Sequence, residues 1–171
     1  MISGSTGGSA SEGNAAAFAA ALQAEHDALG AFISLLQAEQ EILVQGNADR
    51  LAAIAPEKSA QIDLLARLGQ KRDRFLADQN LPLSAVGMET WLSRQRAIAA
   101  AARLRKTWQE SLRRAEMARQ LNISNGMLIE NRVQQNRQKL TVLQSAAGSD
   151  HMYRPDGQLG PFSSGRQLGR V

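Results

Sequence analysis

Chemistry at neutral pH needs nucleophiles, proton carriers or metal ligands that converge, and this chain has few candidates for any of them. There is no cysteine, so thiolate chemistry and disulfides are excluded, and there are only two histidines, His26 and His151. Neither has Asp or Glu three residues before it, so the Glu-x-x-His pairs of helical di-iron bundles are absent. Two histidines this far apart in sequence, without cysteine, do not favour a zinc site. Glu39 and Glu41 stand two apart, which places them on different faces of a helix rather than in a shared acid–base dyad. Gly4, Gly7, Gly8 and Gly13 have neither a preceding strand nor a Lys-Ser/Thr ending, and so match no phosphate-binding loop. The sequence supports no reaction and implies no metal or cofactor.

The remaining distinctive side chains read as structural. Trp91 and Trp108 stand at helical spacing and are expected to anchor a core. His26 is expected to flank the seam of the first helix. Lys58 and Arg72 fall on an apolar seam, where their stems would cover the core while the charges reach solvent or a glutamate on a neighbouring helix.

The elements that must position these residues are helices. From Asn14, a plausible cap, apolar residues recur at three- and four-residue steps through Phe18, Leu22, Leu29, Ile33, Leu36 and Leu43, with polar residues such as Glu25 and Gln40 between. Gly46-Asn47 ends this helix and begins the next, which must turn back antiparallel. The second seam runs Leu51, Ile54, Lys58, Ile62, Leu65, Leu68, Arg72 and Phe75, with a kink or split expected at Pro56. Asn80-Leu81-Pro82 stops it, and Ser84 opens a short amphipathic piece with Met88, Trp91 and Leu92. A third long helix carries Leu104, Trp108, Leu112, Ala115, Ala118, Leu121, Asn125 and Leu128, continuous through Asn125-Gly126.

These periods predict an all-α fold: an elongated antiparallel helical hairpin, or three-helix coiled-coil-like bundle, with helices over about 14–45, 48–79, 84–94 and 97–145. Residues 1–13 are expected to be a disordered Gly/Ser-rich tail, and 146–171 a flexible tail with five glycines and two prolines. A helix over 97–145 would be roughly 75 Å long, against roughly 48 Å for each of the first two. It is therefore expected to overhang them, leaving Leu128, Ile129, Val133, Leu140 and Leu143 as an unburied stripe fit to bind a partner.

Charge is divided along the chain. Residues 1–90 carry six basic and eleven acidic residues, a net of −5, and residues 91–171 carry fourteen and five, a net of +9. A basic half invites a nucleic-acid reading. However, the basic residues from Arg94 to Arg119 interleave with seam positions, and an acidic helix pair beside them neutralises much of the charge. No aromatic residue lies among them on an exposed face, as single-strand binding would need. The longest apolar stretches, Ala15–Leu22 and Ala97–Ala102, fall short of the about 20 residues that span a bilayer, and the N-terminus has no basic signal region. A soluble, cytoplasmic protein is expected.

The segment LNISNGMLIENRVQQNRQKLTVLQ, with MYRPDGQ and SSGRQLGRV after it, resembles the FlgN family of flagellar export chaperones. The most specific parts are Asn122 to Ile129 and Tyr153 to Gln158; EQEILVQGNADRL, Lys58 and Arg72 also fit, and the likeness spans roughly residues 30 to 171. Arg154 stands where glycine is common in the family. The resemblance implies a cofactor-independent chaperone that binds the C-terminal helical segments of hook–filament junction proteins. It also implies delivery of those clients to the cytoplasmic domain of the flagellar export gate, with Tyr153 as the gate contact. Three alternatives remain at this stage: a generic coiled-coil adaptor with no export role, a stripe that closes a homodimer, and a tail tyrosine that folds onto the client.

Overall fold

A computed structural model describes residues 6–95 and 98–149, and every element among them is a helix: α1 (Thr6–Gln45), α2 (Ala48–Asp78), α3 (Ala85–Ser93) and α4 (Ile98–Ser149). The protein is an all-α helical bundle. It divides into two compact units, Met1–Leu128 and Ile129–Val171. Within the first, α1 and α2 pack most closely.

Side-chain bonds set the helix directions within that first unit. Arg72 pairs with Glu25 and Lys58 with Glu39, so α2 runs antiparallel to α1. Arg114 reaches the His26 carbonyl and Asn125 the Leu36 carbonyl, so α4 runs parallel to α1. Two core clusters fill the space between. In one, Phe18 stacks on Phe75 at 3.7 Å between ring centroids, and Trp91 meets both edge-on. Leu22, Leu76, Met88, Leu92 and Trp108 close around them. The other gathers Phe32, Ile33, Leu35, Leu36 and Ala118, with Ile54, Leu65 and Leu121 against it.

The helix ends follow from local backbone chemistry. Gly46 adopts φ 74°, a left-handed conformation that glycine takes without steric cost. Its N–H reaches the Leu43 carbonyl at 3.3 Å and the Asn47 N–H reaches the Ile42 carbonyl at 3.4 Å, the two bonds of a Schellman stop. Asn47 then caps α2, its side chain accepting from the Arg50 N–H at 3.0 Å. At the far end of α2, Asn80 takes the left-handed turn at φ 53°, and the Leu81 N–H bonds to the Leu76 carbonyl at 2.9 Å. Leu76 and Leu81 are both buried, which adds the hydrophobic contact that accompanies this motif.

Several sequence expectations give way to the structure. Residues 6–13 are helical rather than a disordered tail, and Asn14 lies inside α1 instead of capping it. No proline interrupts this stretch, and extending a helix already nucleated in the Ala-rich Ala15–Ala21 segment costs far less than starting one. Pro56 does not split α2, which runs through it. Proline deprives the Ala52 carbonyl of its N–H donor, but Ala52 and Pro56 both lie on the solvent face, where water can take its place. Helix α4 continues past Ser145 to Ser149 through Ala146 and Ala147, strong helix formers.

The seams also shift. Ile62 and Leu112 are exposed and Ala115 faces solvent, while Ser111 is buried and Gln61 half-buried. An α-helix drifts by about 20° per heptad against a strict seven-residue repeat, so a sequence stripe two residues wide leaves the inward one undecided.

Candidate partner-binding face

The five residues expected to form a binding stripe all lie on α4. Leu128 ends the first unit and is half-buried. In the second unit Ile129, Val133, Leu140 and Leu143 are exposed at 38, 37, 57 and 64%. A scattered exposed leucine is ordinary, but four large aliphatic side chains at steps of four, seven and three residues share one side of the helix, a pattern suited to an interface. The helix between them is held by its backbone and by local polar contacts. Gln134 donates to Glu130 at 3.3 Å, the Thr141 hydroxyl to the Arg137 carbonyl at 3.0 Å and the Ser145 hydroxyl to the Thr141 carbonyl at 2.9 Å. Tyr153, the expected gate contact, lies outside the described residues, as does His151.

In the first unit Lys58 and Arg72 reach glutamates on α1, one of the two outcomes expected of them, and further polar side chains gather around these pairs. Glu39 is buried and its carboxylate accepts from Lys58 Nζ at 3.0 and 2.8 Å and from Asn125 Nδ2 at 2.8 Å. Asn125 also donates to the Leu36 carbonyl at 2.8 Å. Two acceptors on one side fix the amide with its nitrogen toward them, since the reverse orientation would face oxygen to oxygen. Gln40, beside this group, donates to the Ser124 hydroxyl at 3.3 Å. One end of the bundle away, Arg72 bonds to Glu25 and Asp73 and its guanidinium lies 5.6 Å from the centre of the Trp108 ring. Between them His26 Nδ1 lies 3.4 Å from the Ser111 hydroxyl, and its Nε2 3.9 Å from Glu110. Every buried charge in this series has a partner, as burial demands.

Among the described residues there is no cluster of three His, Cys, Asp or Glu side chains able to hold a metal. The contacts of Glu39 with Lys58, Glu25 with Arg72 and Asn125 with the Leu36 carbonyl join helix to helix. On the surface, hydrogen bonds from Arg119 and Gln120 bring the Glu116 carboxyl down from 4.5 to about 2. Among the described residues no helix is long and apolar enough to cross a membrane.

Sequence reasoning missed two things here. The first is the contact of buried His26 with buried Ser111, with the partly exposed Glu110 beside it; a histidine one turn from a seam leucine carries no mark of its partner, 85 residues away. The second is a further exposed apolar group on α4, Ile123 and Met127, one turn apart at 46 and 63% exposure. A reading that assigns one stripe to each helix passes over a second.

The FlgN protein family model matches residues 14–161. Two curated relatives, each named flagella synthesis protein FlgN, come from Yersinia enterocolitica, the second from a serotype O:8 / biotype 1B strain. Each is 31% identical over 134 residues, 77% of this chain and 82% of the relative. No solved structure matches.

Proposed function

The chain belongs to the FlgN family, and from that premise we propose that it is a cytoplasmic export chaperone for flagellum assembly. Its clients are the C-terminal helical segments of hook–filament junction proteins. It holds them unassembled and brings them to the cytoplasmic domain of the flagellar type III export gate, without a cofactor and without catalysis. The observation that carries this reading is the exposed stripe Ile129, Val133, Leu140 and Leu143 on the last helix. Leu128, half-buried at the end of the first unit, does not share this exposure.

The magnitudes are sufficient. Covering a large aliphatic side chain contributes about 1.5–3 kcal/mol, so three or four of them support micromolar binding after the costs of association. Such an affinity suits a chaperone that must also let go. Tyr153 is assigned to the export gate, as the one tyrosine of the sequence, in a Pro- and Gly-containing segment.

Calorimetric titration of the full chain with the C-terminal segment of a junction protein tests the reading. One-to-one binding is expected, weakened by Val133→Asp and by Leu140→Asp, both at exposed positions where the fold tolerates a charge. Unchanged affinity in both variants, with circular dichroism intact, would remove this face from the interaction. Tyr153→Ala should leave client binding intact and abolish binding to the gate domain; equal loss of both would place Tyr153 on the client instead.

A further inference from the structure

The exposed stripe has an interruption in its middle. From Ile129 the positions at steps of four, three, four and three are Val133, Asn136, Leu140 and Leu143. At about 100° per residue these five lie within an arc of roughly 80° on one side of the helix. Four are aliphatic and the central one is an asparagine. Its side chain is exposed like theirs. A partner helix lying along this arc covers Asn136 together with its apolar neighbours. The covered amide then loses water on its donors and its acceptor, and must find them replaced.

The same chain shows how it satisfies the amide nitrogen of an asparagine at a helix–helix seam. Asn125 is fully buried, and its amide donates to the Leu36 carbonyl and to the Glu39 carboxylate, each at 2.8 Å. The facing helix supplies an acceptor, and the amide fixes which residue lies opposite. A single polar seam position is the device that sets register and partner number in coiled coils.

The margins of the arc are predominantly basic. Arg137 borders one side, and Lys139 with Arg132 the other, against a single acid, Glu130, which is bonded to Gln134. Among the described residues neither Arg137 nor Lys139 has an ion-pair partner. A second copy of this chain would bring the same basic margins against its own. An acidic helix would bring the opposite charge.

We infer that the occupant of the stripe is an acidic amphipathic helix whose own apolar seam carries an amide or carboxylate side chain opposite Asn136, and that Asn136 sets the register and selects this partner. The inference rests on the reading that the stripe receives a client helix, and it adds the chemistry of that helix.

The test uses the full chain and synthetic helical peptides of equal length and equal aliphatic seam, titrated by fluorescence anisotropy. One peptide has glutamates on its margins and asparagine at the central seam position; a second replaces that asparagine with leucine; a third replaces the glutamates with lysines. The acidic, asparagine-bearing peptide is expected to bind roughly tenfold more tightly than the lysine peptide at low salt, the sum of a few exposed charge pairs. That difference should shrink at 1 M salt, where the screening length falls to about 3 Å. Asn136→Leu, at an exposed position that leaves the fold intact, should invert the preference between the asparagine and leucine peptides.

Equal binding of the acidic and basic peptides, or a preference unmoved by Asn136→Leu, overturns the inference. So does a dimer of the free chain, seen by sedimentation, that Leu140→Asp dissolves, because the occupant is then a second copy. The junction-protein segment is titrated in parallel. Binding of that segment without discrimination among the peptides overturns the partner chemistry and leaves the client reading standing. Failure of segment and peptides alike overturns both.

Discussion

Removing the Lys58 ammonium should destabilise the bundle far more than its place on a partly exposed helix face suggests. The Glu39 side chain is 7% exposed and that of Lys58 20%. Two of the three hydrogen bonds to the carboxylate come from Lys58, at 3.0 and 2.8 Å, and one from Asn125. Lys58→Met keeps the aliphatic stem and strands a buried carboxylate with one neutral donor. Breaking a buried pair in this way costs about 3–5 kcal/mol. The surviving Asn125 bond puts this case at the low end, near 3 kcal/mol. For a chain of this size that corresponds to a fall of roughly 6–12 °C in Tm. Urea unfolding, followed by far-ultraviolet circular dichroism and by the fluorescence of the buried Trp91 and Trp108, measures it. The double variant Lys58→Met with Glu39→Leu removes the stranded charge as well. It should recover most of the loss, to within about 1 kcal/mol of the parent, because Asn125 keeps the Leu36 carbonyl as an acceptor. A single variant within about 0.5 kcal/mol of the parent, or a double variant no more stable than the single, would refute the reasoning, since an exposed pair is worth only about 0–1 kcal/mol.

Two further tests concern the backbone and the surface. A Cβ on Gly87 would lie 1.9 Å from the Pro82 carbonyl oxygen, whereas one on Gly126 meets nothing within 4 Å. Gly87→Ala should therefore cost about 1–3 kcal/mol by forcing the 82–87 turn apart, and Gly126→Ala should stabilise by about 0.5–1 kcal/mol; urea midpoints that move together would contradict this. Glu116 should titrate near 2 in carboxyl-carbon NMR and move up toward 4.5 in Arg119→Gln. Its folded value lies below the unfolded one, so its contribution is present above pH 4.5 and is lost as pH falls toward 2. A titration unaffected by Arg119→Gln would show that the guanidinium is not the cause.

The all-helical character was legible in the sequence because three- and four-residue apolar steps recur over most of the chain, and a strand would need a period of two. The stops at Gly46-Asn47 and Asn80-Leu81 were legible for a local reason: a left-handed residue and a side-chain cap involve only neighbours. The exclusion of thiol chemistry could be read from composition, since cysteines that are not encoded cannot be placed by folding. The exposed stripe on α4 was less completely legible. Its aliphatic members stood out, but Asn136 acquires meaning only as the centre of an exposed arc, which requires knowing that the segment is one unbroken helix.

Burial was decided by tertiary structure alone. Leu112 and Ser111 are adjacent, and hydropathy puts the leucine inside; the structure buries the serine, which bonds to the Thr107 carbonyl and stands beside His26. Glu25, Glu39 and Asn125 would each be assigned to the surface or a turn by type, and each is buried because a cation or a backbone carbonyl from another helix meets it. Periodicity along a chain gives the direction of a face to within one residue, and its amphipathic steps are local. Which of two neighbouring residues is inward, and whether a charge can be taken there, depends on what the opposing helix presents, and that is a property of residues tens of positions away.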